Sequence, residues 1–138
     1  MQCGAVDSAR AVRLISGLHR EYNQIKELSD GRHVRLKPVS GYAAYNGREG
    51  ADRYVSMEDG YYDLILMDIQ MPVMNGYEAT RLIRGMNRRD AGSIPIFAMT
   101  ADAFAEDIAM ARQAGMDRHL SKPIDAVSLM QEITRVLI

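Results

Sequence analysis

Leu64 to Met67 is an unbroken apolar run, the pattern of a strand buried on both faces in a parallel sheet beneath helices. It stops at Asp68 and meets Pro72, Asn75 and Gly76, residues that break regular structure and mark a loop. Ile94 to Met99 is a second apolar strand, with Pro95 near its start, where a missing N–H is tolerated. A short third strand is predicted around His119 and Leu120. Helical spacing follows each of these. Tyr77–Arg84 has Ala79, Leu82 and Ile83 as its inner stripe. Ala105–Ala114 is a second helix, ended by Gly115, and Asp125 opens a last one with Val127, Leu129, Met130, Ile133, Val136 and Leu137 at helical intervals. Arg48 to Val55, after Asn46-Gly47, is a further helix.

In an open parallel sheet, ligands and chemistry sit beyond the carboxyl ends of the strands. The three strands end at Asp68, at Thr100 and at Ser121-Lys122-Pro123, so one edge gathers a carboxylate, a hydroxyl and an ammonium. Each has a plain structural reading. Asp68 or Thr100 can cap the next element, and Lys122 can be a solvated lysine. Together and in this order they fit chemistry better. A carboxylate here serves as nucleophile or metal ligand, and lysine supplies a compact charge on a flexible stem.

These motifs resemble the receiver domain of two-component response regulators and hybrid sensor histidine kinases. The resemblance is carried by Asp63-Leu64-Ile65-Leu66-Met67-Asp68-Ile69-Gln70-Met71-Pro72-Val73-Met74-Asn75-Gly76, Pro95-Ile96-Phe97-Ala98-Met99-Thr100-Ala101, Ala114-Gly115-Met116 and Leu120-Ser121-Lys122-Pro123. It implies an α/β, flavodoxin-like doubly wound parallel sheet, as a single receiver domain over 1–138. Residues 46–138 match well and 1–45 diverge. It implies Asp68 as phosphoacceptor, Thr100 as switch hydroxyl and Lys122 as phosphate-binding lysine. His119 stands where many receivers carry an aromatic that turns inward. Mg²⁺ would be held by Asp68 and the Gln70 main-chain carbonyl, with Glu21 or Asp7 as a further carboxylate. Gln70 and Asp102 would flank the hydrolytic water and tune decay of the phosphorylated state, although Asp102 can equally cap the following helix.

The first 45 residues fit least. Receivers open with an apolar strand ending in an acidic pair, and no two adjacent acids precede Asn46. Val12, Ile15, Leu18, Tyr22, Ile25 and Leu28 form a stripe at three-to-four-residue spacing, closed by Gly31 and capped by Asp7 or Ser8. That stripe favours a helix. The competing reading takes Val12 to Leu18 as a weak first strand, with Glu21-Tyr22-Asn23 in the place of the acidic motif. Under the helical reading the first strand is missing, and His33 to Val39 is its best substitute, although Pro38 disfavours a central position.

Composition narrows the classes. The chain has 138 residues, enough for one domain with a real core. A net charge of −1 gives no reason to expect nucleic-acid or membrane binding. The single Cys3 cannot form an internal disulfide, which suits a reducing cytoplasm, and no stretch reads as a membrane span or signal peptide. The ten methionines read as core filler. The basic cluster Arg81, Arg84, Arg88 and Arg89 reads as a solvated helix end and loop.

The functional expectation is a non-enzymatic signalling domain. It takes a phosphoryl group from the phosphohistidine of a sensor histidine kinase or phosphotransfer domain. Its output passes to a downstream protein or attached output domain, with a homodimer as a further option. A rival is a pseudo-receiver that keeps the fold without binding Mg²⁺ or phosphate efficiently, supported by the missing acidic pair. An aspartyl phosphatase with an Asp-x-Asp motif is disfavoured, because Gln70 cannot act as the second acid.

Overall fold

The apolar runs become strands of one sheet in the computed structural model, which describes residues 12–16, 39–71, 73–100, 105–121 and 126–137. The elements in chain order are β1 (Val12–Ser16), β2 (Val39–Ala43), α1 (Gly47–Ser56), β3 (Leu64–Asp68), α2 (Gly76–Arg84), β4 (Ile96–Thr100), α3 (Ala105–Ala114), β5 (Arg118–Ser121) and α4 (Ala126–Leu137). All strand pairs are parallel, and the order across the sheet is β2-β1-β3-β4-β5. This is the doubly wound flavodoxin-like order, whose switch point lies at the carboxyl ends of β1 and β3.

Both faces of the central strands are buried, as the continuous apolar runs require. Ile65 and Met67 of β3, with Ile96 and Ala98 of β4, join the main core cluster around Tyr54, Ala79, Ile83 and Ala111. Their neighbours Leu64, Leu66, Phe97 and Met99 are fully buried outside that cluster, on the opposite face by strand alternation. Leu129, Met130 and Ile133 of α4 are equally buried.

At Val12–Ser16 the helical reading is corrected: this stretch is a strand, and a central one, while the rest of that stripe, Leu18, Tyr22, Ile25 and Leu28 with Gly31, lies outside the described residues. It pairs with β2 over its whole length and with β3 through Leu14, Ile15 and Ser16. Arg13 within this strand is accommodated by the residues just before β3. The Arg13 N–H donates to the Asp63 carboxylate at 2.9 Å, its carbonyl accepts from Asp63 N–H at 2.7 Å, and its guanidinium lies 4.5 Å from the centre of the Tyr61 ring. The first strand is therefore present and needs no substitute. The substitute strand expected over His33 to Val39 lies outside the described residues except for Val39, which opens the edge strand β2.

Two smaller expectations also change. Leu82 lies on the exposed side of α2, and buried Thr80 joins Ala79 and Ile83 on the inner side. The basic cluster is divided. Arg81 and Arg89 are exposed, whereas Arg84 and Arg88 have side chains only 16% and 12% accessible and act as brackets between elements.

The Arg88 bracket closes the end of the sheet away from the strand carboxyl ends. Its guanidinium donates to Asp59 at 3.1 Å and to the Tyr54 carbonyl at 3.1 Å, and stacks 4.5 Å from the Tyr54 ring centre. Asp90 sits within it, accepting from the Tyr54 hydroxyl at 2.5 Å and from Gly60 N–H at 3.0 Å. Burial pushes the Asp90 carboxyl up, but the Tyr54 and Gly60 hydrogen bonds and the Arg88 charge outweigh it and hold the pKa below the usual range. Because folding depresses this pKa, its contribution to stability is complete above the ordinary value of about 3.9. It disappears as pH falls through the lower folded value. Asp90→Asn is expected to cost about 1–3 kcal/mol at neutral pH and to make the acid loss of stability shallower. Denaturant titrations from pH 7 to pH 2 check this; parallel profiles for the two proteins would refute it.

Candidate functional site

Asp68 ends β3 opposite Met99, and the ladder continues one step beyond it, where Ile69 N–H donates to the Met99 carbonyl at 3.1 Å. The chain then turns sharply. Gln70 N–H donates to Asp68 Oδ1 at 3.1 Å, and Gly76 N–H returns to the Ile69 carbonyl at 2.9 Å. The loop is thus closed on itself beside the carboxylate, which is half-buried, while Gln70 is exposed.

The loop is also tied to its neighbour, since Gly47 N–H at the start of α1 donates to the Met74 carbonyl at 2.9 Å. Both helix starts use the same device. Asn46 accepts from Glu49 N–H at 2.8 Å; Asn75 accepts from Glu78 N–H at 2.9 Å, and Asn75 N–H donates to Glu78 Oε1 at 3.1 Å, completing a capping box. Sequence reasoning took Asn75-Gly76 only as a breaker. The signal it missed was the repeated Asn-Gly-x-Glu at Asn46–Glu49 and Asn75–Glu78.

Glycine is required at both places by close approach. A Cβ on Gly47 would collide with the Met74 carbonyl oxygen, and one on Gly76 would lie 2.5 Å from the Asp68 carbonyl oxygen. Between them, Val73 is held at φ 68° with its side chain 83% exposed, an unusual conformation for a β-branched residue.

Thr100 ends β4 one residue beyond Met99, is 4% exposed, and pairs in register with Ser121 of β5. The carboxyl ends of β3, β4 and β5 therefore carry Asp68, Thr100 and Ser121, with Thr100 and Ser121 in register and Asp68 one step behind them, and Lys122 follows Ser121 in sequence. His119 lies further back on β5, opposite Ala98 and half-buried. Its Nε2 is buried without a hydrogen-bond partner among the described residues. Lys122, Asp102, Glu21 and Asp7 lie outside the described residues. No group of three potential metal-ligating side chains occurs among the described residues. The donors that are present, the Asp68 carboxylate and the main-chain oxygen of exposed Gln70, are hard oxygens of the kind Mg²⁺ takes together with water.

The response regulator receiver domain family matches residues 21–134. The chain belongs to this family. Receivers of this kind are signalling domains of two-component systems, found in hybrid histidine kinases. One solved relative is the receiver domain of sensor histidine kinase PA1611 from Pseudomonas aeruginosa PAO1, described with a magnesium ion coordinated in its active-site cleft. It is 26% identical at a TM-score of 0.72, covering 93% of this chain and 98% of that one. The Vibrio cholerae chemotaxis protein CheY4, 22% identical at a TM-score of 0.73, covers 93% of this chain and 100% of its own, and shares the fold.

Among curated proteins, Histidine kinase 1 of Arabidopsis thaliana is 50% identical over 72 residues, 52% of this receiver and 6% of the kinase. The CAI-1 autoinducer sensor kinase/phosphatase CqsS of Vibrio cholerae is 32% identical over 119 residues, 83% of this receiver and 17% of that protein. The receiver thus spans a small part of the curated relatives it matches. No helix among the described residues is long and apolar enough to cross a membrane.

Proposed function

We propose that the chain acts as one receiver unit in a phosphorelay, accepting a phosphoryl group on Asp68 and passing the change to a protein partner. The donor is the phosphohistidine of a sensor histidine kinase or phosphotransfer domain. The observation that carries this reading is the end of β3, where Asp68 stands at the sheet's switch point on a loop locked by Gly76 and Gly47. A carboxylate oxygen of Asp68 attacks the donor phosphorus, the new P–O bond forms as the P–N bond breaks, and the imidazole nitrogen leaves with the bonding electron pair. An Asp68 fixed in one orientation by Gln70 N–H presents its oxygen without further ordering of the loop.

Mg²⁺ would be held by Asp68, the Gln70 carbonyl and water, with Glu21 or Asp7 as the additional carboxylate, and it would neutralise charge on the transferring group. Thr100 and Lys122 act as the switch hydroxyl and the phosphate-binding cation. His119, whose buried Nε2 has no hydrogen-bond partner among the described residues, is the side chain on β5 that reorients in response. Gln70 and Asp102 set the lifetime of the acyl phosphate by ordering water near it. A cytoplasmic location follows from the need for a kinase partner.

The test is to incubate the chain with a small phosphodonor and Mg²⁺ and weigh the intact protein. A stable gain of one phosphoryl group is expected, saturating only at millimolar-range Mg²⁺ if Asp68 is the main carboxylate. Tight saturation at far lower Mg²⁺ would mean a full acidic site forms. No gain at any concentration would leave an interaction module that keeps the fold alone.

A further inference from the structure

Among the described residues, the hydrogen bonds that hold helix α3 differ between its two ends. Of its described side chains only Ala111 and Ala114 are buried, both in its C-terminal half, and Met110 is 47% exposed. A methyl group is the smallest apolar anchor a helix can have, so hydrogen bonds carry more of the positioning. Two residues of α2 supply them, Tyr77 in its first turn and Arg84 in its last.

The Arg84 end is tight. Its Nε donates to the Gly115 carbonyl at 3.0 Å, and its two terminal nitrogens donate to the Ala91 carbonyl at 3.0 Å and to Asp117 at 2.9 Å. Asp117 also accepts from Ile96 N–H at 2.9 Å, joining this end of α3 to the start of β4. Gly115 has φ +107°, and a Cβ there would lie 2.9 Å from Arg84 Cγ, so the turn after α3 rests directly on this side chain.

The Tyr77 end is slack. Its hydroxyl reaches the Asp107 carbonyl at 3.5 Å, well beyond the usual 2.7–2.8 Å of an O–H···O bond. A shift of about half an ångström strengthens or breaks such a contact. Burial first, and the Asp107 charge second, hold the phenol above its ordinary pKa, so it keeps its proton and donates. Tyr77 is itself only 8% exposed and directly follows Gly76, the residue seated against the Asp68 carbonyl.

The geometry points to Tyr77 as a latch that holds the N-terminal half of α3 by the Asp107 carbonyl, with Arg84 as the pivot at the other end. Movement of the loop after Asp68 is passed through Gly76 to Tyr77 and changes how often the latch is closed, shifting α3 between two positions. What trips the latch rests on the phosphoacceptor reading of Asp68; the latch itself does not.

Tyr77→Phe removes only the hydroxyl and keeps the buried ring. In the intact, unphosphorylated chain, hydrogen exchange at Ala109–Ala111 is expected to rise about two- to threefold, the low end of what losing one net hydrogen bond does, because the contact is long. Exchange at Ala114–Met116 should stay unchanged, and the denaturation midpoint should fall by no more than the loss of that one bond. No rise, or an equal rise along all of α3, would overturn the latch. Arg84→Gln should show the converse pattern, with the largest rise at Ala114–Met116. With a small phosphodonor and Mg²⁺, the wild type should loosen at Ala109–Ala111, while Tyr77→Phe, already loose, should not change further. A gain of phosphoryl mass without any change in wild-type α3 exchange would overturn the coupling. Absence of the mass gain would sink the phosphoacceptor reading alone, with the latch still decided by the unphosphorylated comparison.

Discussion

Asp68→Asn is expected to abolish phosphoryl uptake from a small donor while leaving the fold in place. An amide oxygen still accepts the Gln70 N–H that now reaches Asp68 Oδ1 at 3.1 Å, so the loop keeps its shape. Its lone pairs are delocalised into the amide, and it carries no charge with which to attack phosphorus. For a half-buried loop-edge position, the stability change should be within about 0.5 kcal/mol. Intact mass after phosphodonor treatment and a denaturation curve read the two halves separately. An Asn variant that still gains the phosphoryl mass would move the acceptor elsewhere, and Asp63, whose carboxylate is bound to Arg13 N–H at the opposite end of β3, would be a poor substitute.

The second large effect is expected at Gly76→Ala. The added Cβ would stand 2.5 Å from the Asp68 carbonyl oxygen and 2.9 Å from Ile69 Cα, both main-chain atoms that cannot swing aside. Relief requires moving the end of β3 or the start of α2, at a cost of about 1–3 kcal/mol for overpacking. The same movement displaces the acceptor, so phosphoryl uptake should slow by about tenfold to a hundredfold, as misplacement of a reacting group by roughly an ångström does. Gly92→Ala is the matched control, because nothing lies within 4 Å of its Cβ position, and it should stay within about 0.5 kcal/mol of wild type. Equal stability and uptake in the two variants would mean the loop after Asp68 is not held by the Gly76 contact.

The edge that carries the candidate site was legible in the chain because each clue was local. A run apolar at every position, such as Leu64–Met67, has to be buried on both faces, and a polar residue ending it then falls at the strand's carboxyl end. Asp68 and Thr100 follow from that alone, and parallel pairing sets them on adjacent strands. The helix after Asn75 was legible for the same reason, since the spacing of its apolar residues is a property of a single turn.

What could not be read locally was decided by neighbours distant in sequence. Val12–Ser16 has an intrinsic pattern that suits a helix as well as a strand, and only β2 on one side and β3 on the other, supplying partners for its N–H and carbonyl groups, make it a central strand. Arg13 gains its partners only when Tyr61 and Asp63 are brought against it. Arg84 and Arg88 read as solvated charge until Gly115, Asp117, Asp59 and Asp90 close around them. Leu82 sat in an apolar stripe, yet α2 is rotated so that Thr80 is buried instead. Sequence determined which segments bury both faces and which chemistry ends them; tertiary structure decided which ambiguous segment becomes a strand and which charges become brackets. The physical reason is that hydrophobic periodicity is written within one element, whereas hydrogen-bond and charge partners are supplied by others.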